Sequence, residues 1–258
     1  MESVLERPET TAGVVSSVAK AARLLRALSR SNGEAGVTEL ALAAGLPKST
    51  AHRVLAELIQ EEMVAHSGSR YALGAGWYAL QMSRSTSMWG DLLDIARRPL
   101  ENVFEATGAN VHLAVLEGGQ VLYLEKLTAR GGTRIPTRVG ARMPATCTAI
   151  GKALLAFSDV SMIRSVLSHN LPRPSARSIV APRLLLDQLA EVRRVGYSQD
   201  LEESQLGLFC VAAPVVTEGR SVAAVSLARL GSSGHMVSDR NHVRRTALQI
   251  AQALSTPY

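Results

Sequence analysis

The chain has 258 residues, of which 47% are hydrophobic and 19% charged, so it can form one or two domains with buried cores. The low charged fraction argues against disorder, and no apolar run reaches the roughly 18 residues of a membrane span. The charged N-terminus, Met1 to Pro8, is unlike a secretory signal, so we expect a cytoplasmic protein with no membrane partner. Only two cysteines occur, Cys147 and Cys210, which excludes a disulfide scaffold and fits the same compartment.

The net charge of +6 suggests a nucleic-acid partner, but the distribution of charge weakens that argument. Residues 1–90 carry nine Lys or Arg and eight Asp or Glu, whereas the remaining residues carry nineteen and fourteen. Most of the excess positive charge therefore lies outside residues 1–90. The net charge of the whole chain is therefore weak evidence for a nucleic-acid partner, and local motifs are more informative.

Residues 1–13 are polar and are predicted to form a flexible tail. A helical period then begins at Val15, and Ser16 or Ser17 can cap the start of this helix. The predicted helix carries an apolar stripe and a basic stripe. The apolar stripe comprises Val18, Ala22, Leu25 and Leu28 or Ser29, and the basic stripe comprises Lys20, Arg23, Arg26 and Arg30.

Two short helices are predicted next, joined by a tight turn at Gly45. Thr38 is a good N-cap for the first helix, and Pro47 suits the first turn of the second. The apolar residues that would lock the pair together are Leu40, Ala44, Leu46, Ala51 and Val54. Met63–His66 and Arg70–Leu73 are predicted strands of a hairpin that would form a wing. The pattern therefore predicts a winged helix-turn-helix domain over residues 14–74.

The second helix of the pair would present its polar first turn outwards, where side chains can enter a major groove. Lys48 and Arg53 can meet phosphates or guanine edges, and the hydroxyl and imidazole groups nearby can hydrogen-bond to either. The residues expected to contact double-stranded DNA are Thr38, Lys48, Ser49, Thr50, His52, Arg53 and Arg70. The alternative is a non-catalytic winged-helix module that binds only protein, and the basic residues around this turn favour DNA.

Residues 75–90 are predicted to form a linker helix whose apolar face, with Trp77 and Leu80, could join two subunits. The polar run Ser83–Ser87 marks the domain boundary, and residues 91–258 alternate helices with strands. The predicted helices of this second domain are 92–106, one from Thr148, 159–168, 183–195 and a last one capped by Ser238. Its predicted strands are 111–116, 121–127, 134–139, 197–201, 208–216 and 221–228.

Several stretches together resemble the IclR family of bacterial transcriptional regulators. Val37–Leu55 with Tyr71–Gly74 resembles the DNA-binding domain of that family. The segments that resemble its effector domain are Arg138–Pro144, Ala149–Ala156 and Gly196–Val215. The matches cover nearly all of residues 15–255, in order, so the resemblance is more specific than any single motif.

This resemblance implies an α+β protein with an N-terminal winged helix-turn-helix domain, a linker helix and a C-terminal GAF-like effector domain, residues 91–258, with a sheet flanked by helices. It implies a ligand-responsive regulator, expected to repress a metabolic or catabolic operon as a homodimer or homotetramer. Helix-start amides suit a carboxylate, so we expect a small organic acid or related metabolite as effector. The effector-binding residues implied are Thr148, Ala149, Ile150, Asp200, Cys210 and Ser226.

Two of these effector residues have alternative roles. Asp200 could accept a hydrogen bond from a ligand hydroxyl, or it could hold the amides of its own loop. Cys210 lies in an apolar strand and could equally be a small buried residue.

A cysteine-dependent enzyme is a rival function. It would need a base beside Cys147 or Cys210, and none of the six histidines lies in a recognisable motif with either cysteine. A zinc site would normally show paired ligand spacing, and a phosphate site would show a glycine-rich loop; the sequence has neither pattern. We therefore expect no catalytic residues, no metal and no cofactor.

Overall fold

The structure is a computed structural model that describes residues 15–31, 33–82, 89–128, 135, 137–231 and 233–256. The predicted tail and the predicted boundary at Ser83–Ser87 lie outside the described residues. Residues 15–82 and 89–256 pack as two separate units. Among the described residues, no helix is both long enough and apolar enough to cross a membrane.

Helices and short strands alternate in the N-terminal unit. In chain order they are α1 (Ser17–Arg30), β1 (Glu34–Ala35), α2 (Val37–Ala44), α3 (Lys48–Gln60), β2 (Val64–Ser67), β3 (Arg70–Leu73) and α4 (Ala75–Met82). β3 pairs with both β1 and β2 in an antiparallel sheet. The predicted helix pair and wing are confirmed, and the wing gains β1, which is too short for a hydrophobic pattern to reveal.

The turn between α2 and α3 depends on Gly45, which has a left-handed φ of 63°. Glycine adopts this conformation at little energetic cost because it has no Cβ. The predicted N-cap at Thr38 is wrong, because α2 begins at Val37 after Gly36 and places Thr38 in its first turn. Glu39 accounts for the earlier start: its carboxylate accepts a hydrogen bond from the Gly36 N–H at 3.2 Å.

The stripe that α1 buries differs from the predicted one. Ser16 caps the helix by accepting a hydrogen bond from the Ala19 N–H at 3.2 Å, within the predicted pair of serines. The side chains of α1 that enter the core of the unit are Leu24, Ala27 and Leu28. Val18, on the predicted apolar stripe, is 79% exposed. α1 therefore buries the side with Leu24, and Val18 is left exposed at the start of the helix.

The C-terminal unit places helices on both faces of one sheet. Its elements are α5 (Gly90–Thr107), β4 (Asn110–Glu117), β5 (Gln120–Leu127), β6 (Arg142–Pro144), α6 (Ala149–Ala156), α7 (Val160–Leu167), α8 (Pro182–Val195), β7 (Ser198–Leu201), β8 (Leu208–Thr217), β9 (Arg220–Leu230) and α9 (Met236–Ser255). The strand order is β6-β5-β4-β9-β8-β7, and neighbouring strands are antiparallel. This arrangement confirms the expected α+β fold with a sheet flanked by helices.

Alternation along the central strands produces two apolar layers. In β9, Val225 and Leu227 belong to the core formed with α5 and α9, whereas Ala224 belongs to the core formed with α6 and α8. Ser226 follows the same alternation and lies on the α6 face. The sheet therefore gives the α6 side the polar side chains from which a site can be built.

A close backbone approach fixes the start of α6. A Cβ on Gly151 would lie 2.3 Å from the carbonyl oxygen of Ala145, so only glycine lets α6 pack against the short 3-10 turn before it. The predicted helix start near Thr148 is confirmed: Thr148 is the N-cap, and α6 is buried along its whole length.

The predicted third strand at 134–139 is wrong, because the described residues of that segment form no strand. The Lys126 ammonium instead donates to the carbonyl oxygens of Ile135 and Thr137, at 2.8 and 2.6 Å, so a side chain rather than a neighbouring strand satisfies these groups. The third strand is β6, which pairs with β5.

The predicted cap of the last helix is also wrong. α9 begins at Met236, and the Ser238 hydroxyl, inside the first turn, donates to the carbonyl oxygen of His235 at 2.9 Å. A serine near a helix start can bond backwards to a carbonyl as readily as it can cap an amide.

Candidate functional site

The predicted DNA-contacting residues of α3 lie on its open side. Lys48, Ser49, His52 and Arg53 are exposed, and Thr50 is half-buried. The opposite side of α3 enters the core through Ala51, Val54, Leu55 and Leu58. Thr38, in the first turn of α2, is also exposed. These side chains are therefore accessible, and their contact with DNA stays a prediction.

Charge is separated along α3. Lys48 and Arg53 lie near its start, whereas Glu57, Glu61 and Glu62 lie in its last turn and just after it. Neither Lys48 nor Arg53 forms an ion pair with another described residue. The start of α3 therefore presents positive charge to solvent, and its end presents negative charge.

Arg70 has intramolecular partners that the wing-contact prediction did not anticipate. Its guanidinium donates to Glu39 Oε2 at 2.8 Å and to the Glu34 carbonyl oxygen at 3.3 Å, and it lies 3.5 Å from Glu34 Oε1. The hydrogen bond from the Gly36 N–H, followed by the bond and charge of Arg70, lowers the pKa of Glu39. Arg70 thus ties β3 to β1 and α2 and neutralises two carboxylates near Thr38. This arrangement argues against a direct DNA contact by Arg70.

A cavity of about 100 Å3 lies between the start of α6 and the sheet. The six residues predicted to bind an effector all line it: Thr148, Ala149, Ile150, Asp200, Cys210 and Ser226. They meet because β7, β8 and β9 are neighbours in the sheet, with Asp200 opposite Cys210 in the strand register. The fold brings these residues to one place, and the binding of a ligand there stays a prediction.

The sheet wall of the cavity offers neutral hydrogen-bonding groups. His112, on β4, is opposite Ser226 in the register; its Nε2 lies 2.7 Å from Thr137 Oγ1, and its Nδ1 lies 3.4 Å from Ser226 Oγ. Burial, with a smaller effect of the positive charge on Lys126, lowers the pKa of His112 to about 3. The imidazole is therefore neutral at physiological pH. Sequence reasoning missed His112 and Thr137, because a lone histidine on a strand does not indicate which distant residue lies opposite it.

The helix wall of the cavity is the start of α6. Thr148 Oγ1 accepts a hydrogen bond from the Gly151 N–H at 3.1 Å, and its hydroxyl donates to the Pro144 carbonyl oxygen at 3.2 Å. The hydroxyl is therefore committed to the cap. The amides of Ala149 and Ile150, in the first turn, have no acceptor within the helix, and they carry the positive end of the helix dipole.

Asp200 takes the second of its two possible roles and holds its own loop. Its carboxylate accepts hydrogen bonds from the N–H groups of Glu203 and Ser204, at 2.6 and 3.3 Å, and from the Ser204 hydroxyl at 2.5 Å. Burial raises the pKa of Asp200 to about 6, although the hydrogen bonds from Ser204 and Glu203 act in the opposite direction. The cavity wall therefore contains a carboxylate whose pKa is about 6.

The two thiols lack the environment of a nucleophile. Burial raises the pKa of Cys147 to about 12, and burial together with the negative charge of Asp200 raises the pKa of Cys210 well above its usual range. Both thiols are protonated at neutral pH, and a protonated thiol is a poor nucleophile and a poor metal ligand. Within the described part of the chain, no three His, Cys, Asp or Glu side chains are placed to hold a metal ion.

A buried ion pair that sequence reasoning missed lies close to the cavity. Lys152 Nζ lies 2.5 Å from Glu203 Oε1 and donates to Gln188 Oε1 at 2.7 Å, and the two charged side chains are only 1% and 6% exposed. The pair joins α6 to the loop after β7, and Gln188 adds α8. The sequence does indicate this pair, because Lys152 interrupts the apolar sequence of α6. A charge buried in such a helix requires a partner of opposite charge.

Two family models together match most of the chain. The model described as "IclR helix-turn-helix domain" matches residues 17–68, and the model described as "Bacterial transcriptional regulator IclR C-terminal" matches residues 87–256. The first match includes the helix pair, and the second includes all the residues that line the cavity.

Characterised relatives have similar length. Transcriptional repressor IclR of Escherichia coli is 32% identical over 88% of this chain and 84% of its own length. The acetate operon repressor of Salmonella typhimurium is 33% identical with the same coverage. A crystal structure of an IclR homologue from Microbacterium hydrocarbonoxydans, complexed with 4-hydroxybenzoate, superposes with a TM-score of 0.80 at 27% identity, covering 93% of this chain and 99% of that one.

If Arg70 acts by neutralising Glu34 and Glu39, then removing these two carboxylates should rescue the duplex affinity of a variant that lacks Arg70. We expect Arg70→Ala to weaken binding to duplex DNA several-fold, because two carboxylates then face the phosphates. Adding Glu34→Gln and Glu39→Gln to that variant should return the Kd, measured by fluorescence anisotropy, to the wild-type range, since the new side-chain amide on α2 still offers an oxygen to the Gly36 N–H. A triple variant as weak as Arg70→Ala would instead indicate a direct phosphate contact.

Proposed function

The chain belongs to the IclR family of bacterial transcriptional regulators, and from this premise we propose that it represses a metabolic operon until a small organic acid binds its C-terminal unit. The observation that carries the proposal is the joint presence of an exposed, basic α3 start in a helix-turn-helix and a cavity at the start of α6. The first supplies DNA contacts and the second supplies a ligand site. Both relatives described above are named repressors, which supports this direction of regulation. Because a repressor acts on chromosomal DNA, we place the protein in the cytoplasm.

The proposed DNA contacts come mainly from α3. Lys48 and Arg53 would reach phosphates or guanine edges, and Ser49, Thr50 and His52 would hydrogen-bond within the major groove. Thr38 would contact the backbone from α2. Arg70 would act through Glu34 and Glu39, as its ion pairs indicate.

One winged helix covers one half-site, so the proposal includes a homodimer, or a homotetramer built from two dimers. Exposed apolar side chains support this assembly. On α4, Tyr78 and Leu80 are exposed, and on α1 Val18 is 79% exposed. Apolar surface of this kind is typical of an interface between subunits.

The proposed effector is a short carboxylic acid with a hydroxyl or carbonyl group. Its carboxylate would accept from the amides of Ala149 and Ile150 at the positive end of α6. Its second polar group would meet the neutral trio of His112, Thr137 and Ser226. A cavity of about 100 Å3 is small, which favours a short-chain acid. The protonated thiols give no reason to assign catalysis.

The DNA assignment is tested with an operator selected from a random pool of duplexes. We expect Lys48→Ala combined with Arg53→Ala to weaken operator binding by roughly 1–3 kcal/mol for each base contact removed, measured by anisotropy. Gln60→Ala, at the exposed end of the same helix, is the control and should leave the Kd unchanged. Wild-type affinity in the double variant would remove α3 from the DNA interface.

The effector assignment predicts a pH dependence. A bound carboxylate is repelled by ionised Asp200, so affinity should rise as the pH falls through about 6 and Asp200 becomes protonated. The ligand acid, with a pKa near that of an α-carboxyl, about 3.5, stays ionised in this range. His112 stays neutral there, because its pKa is about 3.

This dependence is measured by calorimetry on the full chain, with a panel of short hydroxy and oxo acids between pH 5 and 8. Asp200→Asn keeps an acceptor for the loop and should give a flat profile. Ala228→Leu, on the sheet wall, fills the cavity and should abolish binding. An acid that binds the Ala228→Leu protein as tightly as wild type occupies another site, and a steep profile in Asp200→Asn assigns the titration to another group.

A further inference from the structure

α1 carries a row of arginines on one flank, which we call the basic ridge and define as Arg23, Arg26 and Arg30. All three side chains are exposed. At about 100° per residue they fall within about 60° of arc, separate from the buried side that contains Leu24 and Leu28. The ridge is thus a continuous line of positive charge, and the core of the unit does not use it.

The ridge differs from the solvated, salt-bridged faces elsewhere in the molecule. α1 contains no Asp or Glu, and no ridge arginine forms an ion pair with a described residue. On α8, by contrast, Arg183 and Arg194 each pair with a carboxylate one turn away. Alternating charges on a helix face indicate exposure to solvent alone, whereas a ridge of one sign indicates a partner of the opposite sign.

The whole described N-terminal unit shows the same separation of charge. Apart from Arg70, every Lys and Arg of residues 15–82 lies on α1 or in the first half of α3. Apart from Glu34 and Glu39, which Arg70 neutralises, every carboxylate lies at the end of α3 or just after it. The unneutralised positive charge therefore belongs to α1 and to the proposed recognition surface.

A second copy of the chain is a poor occupant for the ridge. Most homodimers are two-fold symmetric, so a ridge at a symmetric interface would face the same ridge of the other subunit. Like charges in direct opposition disfavour such an interface. The exposed Val18 lies on another side of α1, and an apolar side chain is better suited to subunit contact.

We propose that the basic ridge binds phosphates of the duplex beyond the major-groove contacts of α3, so that each subunit contacts more DNA than its recognition helix reaches. The proposal rests on the proposed DNA-binding function. α1 is held firmly for this role, because Ser16 caps its start and its buried side packs against α2 and α3. Phosphate contacts of this kind add affinity and fix orientation without reading sequence.

The test is the salt dependence of binding to a random-sequence duplex, measured by anisotropy between about 50 and 200 mM KCl. Removing one phosphate contact lowers the slope of log K against log salt concentration by about 0.9. We expect Arg23→Gln, Arg26→Gln and Arg30→Gln together to lower the slope by about 2.7 for each bound subunit, one contact for each arginine. The control, Arg164→Gln, Arg173→Gln and Arg183→Gln, changes exposed residues of the C-terminal unit, removes the same net charge and should leave the slope unchanged.

Lys48→Gln with Arg53→Gln separates this proposal from the proposed function. If that variant lowers the slope and the ridge variant does not, the ridge proposal fails alone, whereas a wild-type protein with no salt-dependent binding contradicts both. Equal reductions of the slope in the ridge variant and the control would mean that net charge, not the ridge, is responsible. Sedimentation of the ridge variant as a wild-type oligomer supports the proposal; dissociation would identify the ridge as a protein interface.

Discussion

The buried ion pair between Lys152 and Glu203 is the interaction on which the effector unit depends. It joins α6 to the loop after β7, and its burial makes it sensitive to any separation of these two elements. The same loop is held from the cavity side by Asp200, which accepts hydrogen bonds from the Glu203 and Ser204 amides. The helix start, the loop and the cavity wall are therefore one connected structure, so a ligand that displaces one must strain the others.

Much of the fold follows from the sequence, and the predictions that failed did so for physical reasons. The helix pair, the wing and the alternating C-terminal elements are set by local periodicity and by turn residues such as Gly45. The buried face of α1 could not be identified from the sequence, because Val18 and Leu24 both lie on apolar stripes of the helix. Only tertiary packing decides which of the two stripes is buried. The strand expected at 134–139 failed because Lys126 takes the backbone carbonyls that a strand would have paired.

The candidate site was reached through a family resemblance rather than through local pattern. Asp200, Cys210 and Ser226 lie on three strands, and only the register of the sheet makes them neighbours. His112 is the clearest omission, because its position opposite Ser226 depends on the pairing of β4 with β9. Lys152 was the one signal within reach, since a charge in an apolar helix requires a buried partner.

The most direct test of this account is a double-mutant cycle on the ion pair, by urea unfolding in a Trp77→Phe background, so that fluorescence reports on Trp89 in the C-terminal unit. We expect Lys152→Met and Glu203→Leu each to cost about 3–5 kcal/mol, because each leaves a buried charge unpaired. The double variant should cost less than either single change, since no charge is then stranded. Costs that simply add would contradict the account, because the two residues would then stabilise the unit independently.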